Sequence, residues 1–386
     1  MLVARSPEGL LKLLEVVKRN CDLLKLSISI VKSQIVSPDQ QEWTLFENDE
    51  RVLTLQQVAQ YKYLGTWTFG SMWRTSINRQ EKCVKTANKY KGSCMYVSKE
   101  GPDVVDVLLC TWNNVAIPAI LFGTEMLPFT DETISAIERA QSGVAKFALG
   151  LPYGTPNFCA QTELGMKPFR QVLYERQLGF FQKILFLHDS RWVKVALMDH
   201  LSGEWKSPYV AYITEVRSRL GMFSIPPSSA LLKLAIKEWF LSDINNCIAN
   251  SSLMLYPLDS LKRAHYVCEN EHASTLSQFR LGVAGLGNKT PRHGRGRQRY
   301  CPLCPTQALN CEYHLVCVCP SILAKRAETG ITTFFNHCTV KGIPLVDGYR
   351  LFVMGLDSNG KTISQSNALE RGHALHDLRE CWLSRW

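Results

Sequence analysis

With 386 residues, of which 46% are apolar, 10% aromatic and 20% charged, the chain has enough apolar side chains for one or two large cores. Lys and Arg number 44 against 34 Asp and Glu, a formal net charge of +10, so a basic surface must come from local concentration. This composition excludes collagen, a disordered chain and a small disulfide scaffold, and leaves an enzyme, a binding module or a part of something larger.

Ser6-Pro7-Glu8 opens a helix: a hydroxyl cap, proline in the first turn and an acid near the helix N-terminus. Leu10, Leu13, Leu14, Val17 and Cys21 continue it on one face for about 15 residues. Leu26, Ile28 and Ile30 alternate with Ser27 and Ser29 and predict a half-buried strand. Further short strands are expected at Trp43–Phe46, Arg51–Leu55 and Tyr61–Thr68, which makes the first 75 residues α+β. From Arg74 to about Leu187 the pattern is helical. Thr130 caps a helix whose first turn holds Asp131 and Glu132, whose inner face holds Ile134, Ile137, Val144 and Ala148, and which Gly150 and Pro152 end. Another helix spans about Arg170 to Leu187, and weaker helical pattern runs to Arg280 with a break at Ser224-Ile225-Pro226-Pro227. The chain ends in a helix near Asn367–Trp382. The most apolar window, Val104–Phe122, contains Asp106, Asn113, Asn114 and Pro118, so no membrane-spanning helix is expected.

Fourteen cysteines are unevenly spread. Without a secretory leader, they read as reduced thiols of an intracellular protein, nuclear or cytoplasmic. Cys301, Cys304, Cys311, Cys317 and Cys319 crowd into one short stretch. Cys301-Pro-Leu-Cys304 forms a knuckle whose thiolates point the same way, and His314 with Cys319 completes a tetrahedral structural zinc site. Cys311 or Cys317 competes with Cys319 for the fourth position. Four protein ligands leave no place for water, so such a site is structural, and a small loop with little apolar core would draw its folding energy from the metal.

The stretch just before the knuckle holds Lys289, Arg292, Arg295, Arg297 and Arg299 among Gly285, Gly287, Gly294 and Gly296, with no acid. Flexible arginines reach successive phosphates, and beside a zinc knuckle they point to RNA or DNA as partner. Chemistry is harder to place. The chain lacks a phosphate loop, a nucleophile elbow and a His-Glu-x-x-His helix, and it has no Asp-Asp pair to hold two metal ions. Isolated acids such as Asp103, Asp106, Asp131 and Asp189 read as caps and solvated faces.

Several segments in order resemble the reverse transcriptase (RNA-directed DNA polymerase) of non-LTR, LINE-type retrotransposons. Leu2-Val3-Ala4-Arg5-Ser6-Pro7-Glu8-Gly9-Leu10 and Leu26-Ser27-Ile28-Ser29-Ile30-Val31-Lys32-Ser33 resemble the palm just after the family's catalytic aspartates. Tyr61-Lys62-Tyr63-Leu64-Gly65 resembles the later palm hairpin that helps hold the primer. Leu149-Gly150-Leu151-Pro152, Thr155-Pro156-Asn157 and Glu163-Leu164-Gly165 resemble the helical thumb, Phe279-Arg280-Leu281-Gly282 the approach to the knuckle, and Cys301, Cys304, His314 and Cys319 the C-terminal CCHC knuckle.

The resemblance implies a palm remnant over 1–75, a thumb-like helical domain over 76–200, a helical connection over 201–285, the basic strip and knuckle over 286–320, and a mixed, helical end over 321–386. The implied fold class is an α+β palm remnant followed by a mainly α-helical thumb and connection and a small zinc knuckle. Lys32 matches a lysine near the incoming nucleotide, where a protonated amine assists the leaving pyrophosphate. The family's aspartates and their Mg²⁺ are expected upstream of Met1, so the expectation is a truncated polymerase part with no catalytic residue of its own and no polymerase activity. A retained, non-catalytic nucleic-acid-binding protein and a zinc-stapled interaction protein are the alternatives. A palm cut at this point would leave Leu26, Ile28 and Ile30 at an unpaired sheet edge.

Overall fold

A computed structural model describes residues 7–29, 33–36, 43–47, 50–63, 66–69, 72–97, 104–202, 207–250, 271–281, 284, 300–301, 303–304, 308 and 311–384. Lys32 and the strip Lys289, Arg292, Arg295, Arg297 and Arg299 lie outside the described residues.

The expected first helix forms as α1 (Pro7–Leu23). It ends where Lys25 takes a left-handed backbone, φ 55°. The Leu26 N–H returns to the Cys21 carbonyl at 2.8 Å and the Lys25 N–H to that of Asp22 at 3.0 Å. These two bonds satisfy carbonyls that the helix end leaves open. They also change the fate of the next segment. Leu26 belongs to the helix terminus and is exposed, and Leu26–Ser29 form no strand, so among the described residues they make no sheet edge; Ile30 lies outside the described residues.

Pairing starts later, with β1 (Gln34–Ile35), β2 (Trp43–Glu47) and β3 (Glu50–Gln57) in the order β1-β3-β2. β1 runs parallel to β3 and β2 antiparallel to it, with Trp43 opposite Leu55. Leu14 of α1 packs on Ile35 and Leu55 in a core separate from the main one. The expected single strand at Tyr61–Thr68 is two, β4 (Gln60–Tyr63) and β5 (Thr66–Phe69), paired antiparallel as a hairpin. The described residues show these small sheets and no palm sheet, so the chain is mainly α-helical and the α+β expectation for its start shrinks to this.

The helical part is built around α2 (Met72–Val97) and α5 (Asp131–Ala148). Thr130 caps α5 as expected, its Oγ1 accepting from the Thr133 N–H at 3.3 Å. Ile134, Ile137 and Val144 are buried and Ala148 half-buried. Gly150, at φ 58°, ends the helix, and the Leu151 N–H closes back on the Lys146 carbonyl at 2.8 Å. The two helices are locked in register by buried polar groups. Ser76 Oγ donates to the Pro128 carbonyl at 2.6 Å, and Gln80 donates to the same carbonyl at 3.2 Å while accepting from the Thr130 N–H. Such groups stabilise a core only when bonded, and these are.

Between them lie α3 (Val104–Thr111), a π-turn at Trp112–Ala116 and α4 (Ile117–Leu121), with Trp112 fully buried. Next come α6 (Asn157–Glu163), α7 (Phe169–Leu185), α8 (Trp192–Leu201), α9 (Pro208–Arg219), α10 (Ser229–Ala249) and α11 (Glu271–Arg280). α10 buries Leu232, Ile236, Phe240, Ile244 and Ile248, one residue per turn, and sets Phe240 against Tyr174 of α7. The C-terminal part is α12 (Leu323–Glu328), α13 (Ile331–Val340), α14 (Leu345–Val353) and α15 (Gln365–Ser384). Arg371 of α15 lies over Phe334 and Phe352 at 4.6 and 4.7 Å and donates to the Phe352 and Leu356 carbonyls. One buried apolar cluster runs from Cys83 to Leu378. Among the described residues no helix is long and apolar enough to cross a membrane.

Candidate metal centre

Cys301, Cys304, His314 and Cys319 are all buried, and their ligand atoms lie within 4.8 Å of one another. Two of the edges can be compared with chemistry. The Cys301 and Cys319 sulfurs are 3.9 Å apart, and Cys304 Sγ is 3.4 Å from His314 Nε2. A tetrahedron with metal–sulfur bonds of ~2.3 Å and a metal–nitrogen bond of ~2.05 Å has S–S edges of about 3.8 Å and S–N edges of about 3.6 Å. Three soft thiols and one imidazole at these separations can hold a metal ion.

The local chain explains the gathering. The Cys301 N–H donates to the Ala308 carbonyl at 2.7 Å, closing the loop that carries Cys301 and Cys304. His314 and Cys319 are five residues apart, a spacing that an α-helix would rotate by about 140°. Here His314–Val318 form a π-turn, and the Cys319 N–H closes on the His314 carbonyl at 2.7 Å. That i→i+5 bond returns Cys319 to the side of His314, which accounts for a rare helical form at this place. Ser321 Oγ donates to the Leu303 carbonyl and ties the chain after Cys319 to the knuckle.

Burial holds the Cys319 thiol up to about 11 against a lowering bond from the Ser321 N–H, with the Cys301 thiol adding to the rise. Burial and the nearby Arg326 charge hold His314 below its ordinary value, in the neutral form that can ligate. A divalent ion bound here must overcome the reluctance of the buried Cys319 thiol to lose its proton, and binding releases that proton.

The competing fourth ligands fall outside the cluster. Cys311 and Cys317 are half-buried, and burial raises the Cys317 thiol strongly. The expectation of a small knuckle without a core is also corrected. Leu315, Val316 and Ile322 are buried in the main apolar cluster with Cys301, Cys304 and Cys319. Glu312 accepts from the Ala284 N–H at 3.1 Å, and Tyr349 donates to the Phe279 carbonyl at 3.3 Å, so the knuckle, α11 and α14 are bonded together.

Two features had no local sequence signal. Arg326 of α12 is buried and donates from Nη2 to the Cys319 carbonyl at 2.7 Å and from Nη1 to the Val316 carbonyl at 3.4 Å. Arg280 and Glu163, 8% and 1% exposed, form an ion pair at 3.1 Å that fastens α11 to α6. Compared with known proteins, the chain matches no family model, no curated protein and no solved structure.

Proposed function

We propose that Cys301, Cys304, His314 and Cys319 hold a structural zinc ion, and that the zinc-stapled end of the chain binds RNA or DNA through the basic strip beside it. The observation that carries this reading is the closed, buried Cys3His group. Its thiolate-rich donor set suits zinc over the hard cations, and four protein ligands leave no position for a reacting water. The strip supplies the rest. Arg299 stands two residues before Cys301, with Arg297, Arg295, Arg292 and Lys289 preceding it. Arginines there can follow a phosphate backbone, and single-stranded or structured RNA would be met mainly by shape. The ordered resemblance to LINE-type reverse transcriptases supports assigning the chain to the part of such an enzyme that follows its catalytic aspartates. With no Asp-Asp pair in the sequence, no primer extension is expected from this chain, and Lys32 has no reaction to assist.

Salt-dependent binding tests this. Labelled RNA hairpin and nicked DNA duplex are titrated with the chain at several salt concentrations. Each phosphate contact contributes about 0.7–0.9 to the slope of log affinity against log salt. Replacing Lys289, Arg292, Arg295, Arg297 and Arg299 by Gln should flatten that slope by about 3.5–4.5. Absence of binding at low salt sinks the nucleic-acid reading. One observation favours a second reading, a zinc-stapled protein-interaction module. α8 exposes Trp192 at 85% with Val193, Val195, Met198 and Leu201. That reading gains if the chain binds protein partners and no nucleic acid.

A further inference from the structure

We propose that Arg326 is the counter-cation of the thiolate centre, a positioning residue whose permanent charge balances the bound ion and its ligands. The inference rests on the zinc reading above and concerns which residue makes that site affordable in a buried place.

A guanidinium is charged at every accessible pH, and burying it is costly unless a negative partner is close. Arg326 is only 6% exposed, and its hydrogen bonds go to two neutral carbonyls, those of Cys319 and Val316. Among the described residues no carboxylate pairs with it; Lys325, its neighbour, takes Glu328 and Asp377. Three thiolates, a neutral imidazole and a divalent ion sum to one negative charge. A fourth thiolate in place of His314 would sum to two. One buried arginine therefore matches the Cys3His set, and the fold places it at the right point. α12 begins four residues after Cys319 and carries Arg326 back under the π-turn, onto the carbonyl of a ligand residue. From there the guanidinium holds the Cys319 backbone by a hydrogen bond and lowers the energy of the thiolates by its charge. Partners of this outer kind affect metal affinity about 10- to 100-fold.

The experiment compares zinc affinity of the full chain with that of Arg326→Met and Arg326→Lys, by competition with a chromophoric chelator. Cobalt substitution reads the thiolate-to-metal band, and thermal unfolding is followed with and without chelator. Arg326→Met should hold zinc about 10- to 100-fold more weakly while the cobalt band keeps its three-thiolate character, and Arg326→Lys should recover most of the loss. Equal losses in both variants would overturn the charge role, as would affinity that Arg326→Met leaves unchanged while metal-free and metal-bound forms melt earlier by the same amount. If Arg326→Met does not fold, Arg326→Lys decides alone: zinc held within about threefold of wild type supports the role, and a tenfold loss overturns it. A wild-type chain that takes up no zinc overturns both readings together, whereas a zinc-binding wild type beside an indifferent Arg326→Met overturns this one alone.

Discussion

Asp131 shows how one side chain can serve two structural levels. It sits in the first turn of α5, where a carboxylate meets the positive end of the helix, and it also accepts from Arg170 at 2.6 Å and Arg219 at 2.9 Å. Hydrogen bonds from Arg219, then Arg170, hold its carboxyl near 2, below the ordinary 3.8. A depressed pKa adds stability that is present above the unfolded value and lost as pH falls toward the folded one. The side chain is 54% exposed, so solvent screening keeps the effect small. Asp131→Asn should lower unfolding stability by about 0.5–1 kcal/mol near neutral pH. That difference should vanish between about pH 4 and pH 2, as checked by urea unfolding at a series of pH values. A difference that persists at pH 2 would mean that cap geometry and not charge is at work.

Between elements, the joint of greatest consequence is α6 to α11. Glu163 and Arg280 are both buried, and Gln278 donates from α11 to the Gly150 carbonyl at 2.9 Å. Removing one partner of a buried pair leaves the other charge without compensation, at a cost of about 3–5 kcal/mol. Arg280→Met should therefore destabilise the chain by about that much, and adding Glu163→Leu should recover a large part of it. Denaturant midpoints of the two single variants and the double variant give the coupling. A double variant no better than Arg280→Met would show that packing around Glu163, and not its charge, sets the loss.

Across the whole molecule, the knuckle is continuous with the main core through Leu315, Val316 and Ile322. Removing the proposed zinc should then loosen more than the loop that would hold it. With chelator, hydrogen-exchange protection is expected to fall from the π-turn at His314–Val318 through α12, while the α2–α5 pairing, fixed by Ser76, Gln80 and Thr130, keeps its protection. Protection retained around His314 under chelator would exclude a structural metal there. The same continuity explains how α11 and α14 reach the site: the Glu312–Ala284 and Tyr349–Phe279 bonds carry the docking.

What the sequence alone determined was whatever local chemistry can set. Proline and acid started α1, the expected cap Ser6 lying outside the described residues; Thr130 and Gly150 bounded α5; the Cys-x-x-Cys pair with His314 and Cys319 named the Cys3His group that the structure gathers. Each of these depends on neighbours within a few positions. Leu26–Ser29, the described part of the strand expected at Leu26–Ile30, form no strand, because a period of two cannot reveal that Lys25 adopts the left-handed backbone and hands Leu26 to the helix end. Only the tertiary structure decided between Cys319 and its rivals, since that choice depends on a π-turn closing five residues. It also decided that Arg326 lies under the centre and that Arg280 meets Glu163, residues 117 positions apart in the chain. Local pattern carries propensity and spacing; burial is a property of the packed chain, and it is burial that brings the four side chains into one closed group.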